Sequence, residues 1–143
     1  MPLPPRLVLE VVTPDHAVVR EEVDEVQLPG VAGYLGILPG HTPLLTSLRV
    51  GQLWYRQGAE KRYLAIAFGF AEVQPDRVRL LAQVAERAEE IDVARAEERR
   101  RRAETAVQAA RSGSADIDLE RARISLLKSI VRIQVAAKAK LRG

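Results

Sequence analysis

The sequence predicts a β+α protein, in which an N-terminal all-β sandwich precedes a C-terminal antiparallel hairpin of two helices. Near residue 88 the period of the hydrophobic residues changes from two, as in strands, to about 3.6, as in helices. The formal charge changes at the same point, from −1 over residues 1–87 to +4 over residues 88–143. We therefore predict two domains, a β-sandwich at 1–87 and a helical hairpin at 88–143.

Turn signals divide the first domain into short segments with the composition of strands. We predict strands within 6–15, 17–30, 51–58, 61–73 and 78–86. Segment 61–73 is apolar almost throughout, which indicates a strand buried on both faces, and Gly69 within it marks a bulge. Because no helical pattern separates these segments, the expected fold is a sandwich or flattened barrel.

The first predicted helix covers residues 89–111, which contain no Gly or Pro and are rich in Ala, Glu and Arg. Asp92 is a suitable N-cap for this helix. Two ion pairs at i,i+4 spacing are expected on its surface, Glu97–Arg101 and Glu98–Arg102. The helix ends at the break 112–116, where Gly113 suits the left-handed position that follows a helix.

The second helix is predicted from two rows of apolar residues at helical spacing. The first row comprises Leu119, Ala122, Leu126, Ile130, Ile133, Ala137 and Leu141, and the second comprises Ile124, Leu127, Val131 and Val135. The first helix offers mainly alanines, which bury little area, so the second helix has a wider apolar face than its partner covers. We therefore expect the hairpin to lie on the β domain or to bind another surface, and to be a movable element.

Several kinds of functional site are not expected. The chain has no cysteine, which excludes disulfides and thiolate zinc sites. His16 and His41 lack neighbouring catalytic or ligand side chains in the sequence, so we expect no catalytic residue and no metal site. The glycine-rich loop 28–36 lacks the Lys-Ser/Thr of a phosphate-binding loop, and the basic run 99–102 fits a solvated helix face.

The sequence also bears on membranes and nucleic acids. No segment approaches the roughly 20 apolar residues of a membrane span, so we expect contact with a membrane only through a partner. The alternative function that we retain is a small basic nucleic-acid-binding domain. It is disfavoured because aromatic residues make up only 4% of the chain and the basic excess lies in the helices.

Three motifs carry a resemblance to a known family. The segments "GYLGILPGHTPLLTSL" (33–48) and "GFAEVQPDRVRLLAQVAERAEEID" (69–92), with "IDVARA" (91–96), resemble the epsilon subunit of the bacterial F-type ATP synthase. The resemblance extends over nearly the whole chain. It implies a β-sandwich of about ten strands followed by a two-helix hairpin, in a non-catalytic central-stalk subunit at the cytoplasmic side of the bacterial plasma membrane.

The resemblance also implies partners. The sandwich of the family binds the gamma subunit and the c-ring, and we expect Val31, Gly33, Tyr34 and His41 at that interface. The helices of the family can fold down on the sandwich or extend along gamma into the alpha/beta catalytic hexamer, and the extended state blocks ATP hydrolysis. After Glu120 the second helix has basic residues and no acidic ones, which suits an acidic surface of the beta subunit. The residues expected at that contact are Arg121, Arg123, Lys128, Arg132 and Lys138.

A regulatory ATP is the remaining expectation, with no required cofactor. "IDVARA" is similar to the motif with which some bacterial members bind ATP in the folded-down hairpin. The residues implied are Glu86, Ile91, Asp92, Arg95, Ala96, Lys128 and Arg132. Bound ATP would stabilise the compact state and release the inhibition. The motif also fits an ordinary helix start, with Asp92 as N-cap and Arg95 in an i,i+3 ion pair.

Overall fold

The structure, a computed structural model, describes residues 4–113 and 117–142. It contains eight strands, a short 3₁₀ turn (Ala88–Glu90) and two helices. The strands are β1 (Leu7–Val12), β2 (Ala17–Val23), β3 (Glu25–Gly30), β4 (Gly33–Ile37), β5 (Leu44–Leu48), β6 (Gly51–Gln57), β7 (Glu60–Gln74) and β8 (Arg77–Arg87). The helices are α1 (Val93–Arg111) and α2 (Leu119–Arg142).

The strands form a sandwich whose two layers share β7 and β8. The strand order is β2-β1-β8-β7-β5-β3-β4, and β6 pairs with β3 and β7. Strand β7 pairs with β6 as far as Ile66 and with β5 from Gly69 onward, so it passes from one layer to the other. Only the β1–β8 pair is parallel among the described strands.

The passage between layers occurs at Phe68 and Gly69, which both have positive φ, 60° and 128°. Pairing of β7 with β8 is interrupted between Ala67 and Gly69, in agreement with the irregularity expected at Gly69. The sandwich and hairpin are confirmed, but the described residues form eight strands where about ten were expected. The number is lower because β7 and β8, of 15 and 11 residues, run through both layers as single strands.

The core of the sandwich lies between the layers. Its largest side chains, all fully buried, include Leu7, Leu9, Leu53, Tyr55 and Leu80. Tyr55 brings a polar group into this region, and its hydroxyl donates a hydrogen bond to Glu21 Oε2 at 2.9 Å. Burial raises the pKa of Tyr55 above its ordinary value. The phenol therefore stays neutral and keeps its donor role.

The helix ends are formed by the residues that the sequence indicates. Asp92 is the N-cap of α1, since its Oδ1 accepts a hydrogen bond from the backbone N of Arg95 at 3.1 Å. Gly113 follows α1 with a φ of 88°. Asp118 caps α2 in the same manner, accepting from the backbone N of Arg121 at 3.2 Å. Residues 114–116 of the expected break lie outside the described residues.

The ion pairs on α1 differ in part from expectation. Glu98 pairs with Arg102 at 2.7 Å, as expected. Glu97 pairs instead with Arg100, at 3.0 Å and i,i+3 spacing, and not with Arg101. The i,i+3 and i,i+4 spacings both place two side chains on one face of a helix. Glu97 and Arg100 share the half-buried face of α1, whereas Arg101 is exposed.

The hairpin is folded onto the sandwich. Helix α2 lies on β6, β7 and the 3₁₀ turn, and α1 packs on α2. A second hydrophobic cluster joins the two domains, and its buried members are Val50, Ala65, Ala67, Ala88, Ile91, Val131, Val135 and Ala136. Residues 64–67 are consequently buried on both faces of β7, as the sequence predicts. No helix in the described residues is long and apolar enough to cross a membrane.

The bend in β7 leads to a stability prediction. At Gly69 a Cβ atom would clash with the backbone oxygen of Leu81, and the φ of this residue is unfavourable for any L side chain. We expect Gly69→Ala to lower the free energy of unfolding by at least about 2 kcal/mol, measured by urea denaturation. Gly36→Ala is the control, because nothing lies within 4 Å of a Cβ there. Equal stability of the two variants would contradict the role assigned to the bend.

Candidate functional site

A cleft of about 350 Å³ lies between the hairpin and the outer face of the sandwich. Its lining comes from β7, β8 and Val50, which precedes β6, on one side and from both helices on the other. The lining residues are Val50, Ala65, Ile66, Ala67, Val84, Glu86, Arg95, Arg99, Ser125, Lys128, Ser129, Val131 and Arg132. The cleft therefore has an apolar floor on the sheet and a basic rim on the helices.

Helical spacing explains the basic rim. Arg95 and Arg99 are one turn apart on α1, and Lys128 and Arg132 are one turn apart on α2. Each pair therefore projects from a single face of its helix. Docking of α2 on β7 turns these faces toward the end of β8, where Glu86 lies.

The strongest polar contact between the two domains lies in this cleft. Arg132 donates from Nε to Glu86 Oε1 at 2.7 Å and from Nη2 to Oε2 at 3.1 Å. The two side chains are 16% and 29% exposed, so the pair is partly shielded from water. This forked pairing joins α2 to β8, and it neutralises one of the four cations in the cleft.

The other cations of the cleft have no carboxylate partner among the residues that the structure describes. The Lys128 ammonium lies 5.5 Å from the centre of the Phe68 ring. Arg95 and Arg99 are exposed, and their side chains make no hydrogen bond or ion pair within the described part of the chain. The cleft therefore has an excess of positive charge and offers guanidinium donors to an anionic ligand.

The cleft contains hydroxyl groups as well as cations. Ser129 is buried, but its Oγ donates to the backbone oxygen of Ser125 at 3.0 Å, and neither histidine lines the cleft. In the described residues no group of three or more His, Cys, Asp or Glu side chains is placed to hold a metal ion. Among the described residues that line the cleft, neither serine is hydrogen-bonded to a side chain that could act as a base.

The residues expected to hold ATP are divided by the structure. Four of them line the cleft together: Glu86, Arg95, Lys128 and Arg132. Ile91, Asp92 and Ala96 do not line it. Ile91 is buried in the hydrophobic cluster that joins the two domains, and Ala96 is buried on α1. The Asp92 side chain caps α1, where it accepts from the backbone of Arg95 and forms no ion pair with its guanidinium.

Arg99 is the one cation among the described cleft residues that was not expected there. The sequence of the run 99–102 indicates a solvated helix face. Its members actually differ: Arg100 and Arg102 form surface ion pairs, whereas Arg99 lines the cleft. Its i,i+4 spacing from Arg95 was the available signal.

The five residues expected to contact the beta subunit do not form one surface. Arg121 and Arg123 are exposed. Lys128 and Arg132 face the sandwich in the cleft, and the Lys138 ammonium lies 5.3 Å from the centre of the Tyr63 ring. In the folded-down hairpin, three of the five cations are thus engaged by the sandwich.

The residues expected at the gamma and c-ring interface lie in two regions of the sandwich. Val31 lies in the turn between β3 and β4 and is 64% exposed, and Gly33 and Tyr34 are the first residues of β4, so the three form the tip of this hairpin. The Tyr34 ring lies under the Arg49 guanidinium, 4.6 Å from its carbon. His41 lies in the β4–β5 loop, with Nδ1 2.7 Å from the Thr42 oxygen.

An exposed apolar patch on the sandwich was not predicted. Leu45, Phe70 and Leu81 are 70%, 56% and 55% exposed. Phe70 is directly opposite Leu81, and Leu45 is opposite Glu72, so all three side chains emerge from one face of the sheet. Apolar residues at outward-facing strand positions were the signal. An exposed cluster of this kind indicates a contact surface.

Comparisons with known proteins agree with this architecture. The profile of the ATP synthase delta/epsilon chain β-sandwich domain matches residues 6–88, and that of the long α-helix domain of the same chains matches residues 89–137. A similar protein is the ATP synthase epsilon chain 2 of Syntrophotalea carbinolica, 45% identical over 133 residues, which cover 93% of this chain and 95% of the relative. The ATP synthase epsilon chain of Herpetosiphon aurantiacus is 50% identical over 90% of this chain and 92% of its own length.

A solved structure has the same fold. A chain in the cryo-EM structure of the Euglena gracilis mitochondrial ATP synthase superposes with a TM-score of 0.76 at 24% identity. The superposition covers 99% of this chain and 84% of that one. None of these comparisons supports the nucleic-acid alternative.

The ion pair in the cleft leads to a prediction for docking. We expect Glu86→Gln and Arg132→Gln each to cost about 1.5–3 kcal/mol of stability, because each leaves a partly shielded charge unpaired. The exposed pair Glu98–Arg102 on the same hairpin is the control, and its variants should cost less than about 0.5 kcal/mol. Double-mutant cycles by urea denaturation measure both couplings. Equal coupling energies for the two pairs would contradict a special role for Glu86.

Proposed function

This chain belongs to the ATP synthase delta/epsilon chain family, and on that premise we propose that it is a non-catalytic subunit of the central stalk, coupling the gamma subunit to the c-ring and restraining ATP hydrolysis. The observation that carries the regulatory part is the folded-down hairpin, with a basic cleft enclosed between it and the sandwich. The complex would lie at the cytoplasmic side of the bacterial plasma membrane, and this chain would meet the membrane only through its partners.

The sandwich would make the contacts with the rotor. The apolar patch of Leu45, Phe70 and Leu81 offers gamma a surface of the kind that partner proteins bury. The tip of Val31, Gly33 and Tyr34 would meet the c-ring. Tyr34 would bring an aromatic ring to this contact, with the Arg49 guanidinium lying over it.

The hairpin would act as the brake. In the described residues its attachment to the sandwich includes small apolar side chains, the Glu86–Arg132 ion pair, a hydrogen bond between Gln52 and Gln134 at 3.1 Å, and two lysines that lie over aromatic rings. Lys128, Arg132 and Lys138 would leave the sandwich when the hairpin extends toward the alpha/beta hexamer. The same cations would then face the acidic surface of beta, together with Arg121 and Arg123.

Regulation by ATP is the last part of the proposal. Phosphates would be held in the cleft by Arg95 and Arg99, which have no carboxylate partner in the described residues, and by Lys128. Arg132 is already paired with Glu86, so its contribution requires exchange of that partner. A ligand that touches both the sandwich and the hairpin stabilises the folded-down state by its differential affinity.

The domain division predicts the outcome of a truncation. A chain that ends at residue 87 should still assemble with gamma and the c-ring, because β8 ends at Arg87 and the patch is retained. ATP hydrolysis by the reconstituted complex should rise relative to that with the full chain, and coupling should persist. Unchanged hydrolysis would remove the inhibitory role, and loss of assembly would remove the modular one.

The cleft predicts that nucleotide binds the isolated subunit. Calorimetric titration with ATP should give a one-to-one complex, and Arg95→Gln should weaken it by about tenfold through loss of a charge-assisted bond. Arg111→Gln is the matched control, since Arg111 is an exposed arginine of the same helix outside the cleft. No heat at millimolar ATP, or equal weakening by both variants, would refute the nucleotide site.

A further inference from the structure

The cleft continues into a second cavity between the two helices. This cavity, of about 520 Å³, lies toward the end of the hairpin where α1 is connected to α2. Alanines of both helices form part of its wall, and Arg102 and Arg121 are at its rim. Arg99 and Ser125 line both the cleft and this cavity, so the two adjoin each other, and together they are here called the basic groove.

Cations follow the basic groove along both of its walls. Arg95, Arg99 and Arg102 occur at i, i+4 and i+7 of α1, a row about 10 Å long at 1.5 Å per residue. On α2 the row extends from Arg121 through Lys128 to Arg132, which is about 16 Å by the same measure. Two facing rows of positive charge repel each other unless an anion lies between them.

The carboxylates at the groove neutralise these rows only in part, because the described residues place three carboxylates beside six cations. Glu86 is occupied by Arg132, and Asp118 accepts a hydrogen bond from the backbone of Arg121 as a helix cap. Glu98 pairs with Arg102 at an exposed site, where such pairs are weak and exchange readily.

Three guanidinium groups are thus left for a ligand. Within the described residues, no hydrogen bond or ion pair engages the side chains of Arg95, Arg99 or Arg121. They are spread over both parts of the groove, so a ligand that satisfies all three has to extend through it.

We propose that the basic groove binds a linear inorganic polyphosphate longer than a triphosphate, with its chain lying between the two rows of cations. Guanidinium forks match phosphate oxygens, and the repeated spacing of the cations suits a ligand with repeated anionic groups. None of the described residues that line either part of the groove is aromatic, so they offer no platform on which the bases of a nucleic acid would stack.

Such a ligand would hold the hairpin closed. It would bridge α1 to α2 and relieve the repulsion between their cations, so its binding favours the compact hairpin. Its inner end would occupy the cleft proposed above for nucleotide phosphates, so the inference rests on that cleft as an anion site. Long polyphosphate and ATP would then compete.

The test compares two phosphate chains on the full-length subunit. Calorimetric titration at fixed ionic strength with tripolyphosphate and with a long linear polyphosphate should show the longer chain binding about tenfold more tightly per molecule. Arg121→Gln should abolish this gain and leave tripolyphosphate binding within about twofold of the unaltered chain. Arg123→Gln should retain the gain, because it removes the same charge from the same helix outside the groove.

Three results would overturn the proposal. They are equal affinity for the two phosphate chains, equal effects of Arg121→Gln and Arg123→Gln, and equally tight, Arg121-dependent binding of poly-glutamate. The last would assign the groove to acidic peptides. ATP could also bind through Arg95 while long polyphosphate binds no more tightly than tripolyphosphate. That result would refute this inference and leave the proposed function standing.

Discussion

The packing of α2 on the outer face of β7 is the interaction on which the rest of this structure depends. Ala65 and Ala67 present only methyl groups there, which lets Val131 and Val135 approach the sheet closely. Without this contact the middle of β7 would expose its second apolar face to water. The cleft, the Glu86–Arg132 pair and the basic groove all exist because the helix lies in this position.

The same contact explains how docking and release can be balanced. The buried side chains of the interface are mostly Ala and Val, so the apolar area gained is modest for a helix of 24 residues. The polar contribution depends on cations of α2 that bind Glu86 or lie over aromatic rings of the sandwich. An acidic surface elsewhere would compete for these side chains, so docking on the sandwich and binding to such a surface exclude each other.

Much of the fold follows from local sequence, and the remainder depends on tertiary contacts. The caps Asp92 and Asp118 and the left-handed Gly113 are local devices, and the first and last of them were visible in the sequence. Strands β4 and β5 were not recognised, because they are five residues each and lie in a glycine- and proline-rich region that suggests only loops. Arg99 was missed because the four arginines of the run point in different directions around α1. Which of them faces the cleft depends on how α1 packs on α2, and the local sequence does not show that packing.

A reversible cross-link tests most directly whether docking of α2 controls inhibition. Gln52 and Gln134 are hydrogen-bonded across the interface, and the chain has no cysteine that would interfere. With Gln52→Cys and Gln134→Cys joined by a short cleavable thiol reagent, ATP hydrolysis by the reconstituted complex is the quantity to measure. If docking of α2 controls inhibition, cross-linking removes the inhibition of ATP hydrolysis and cleavage of the linker restores it. Inhibition that persists in complexes containing the cross-linked subunit would contradict the account.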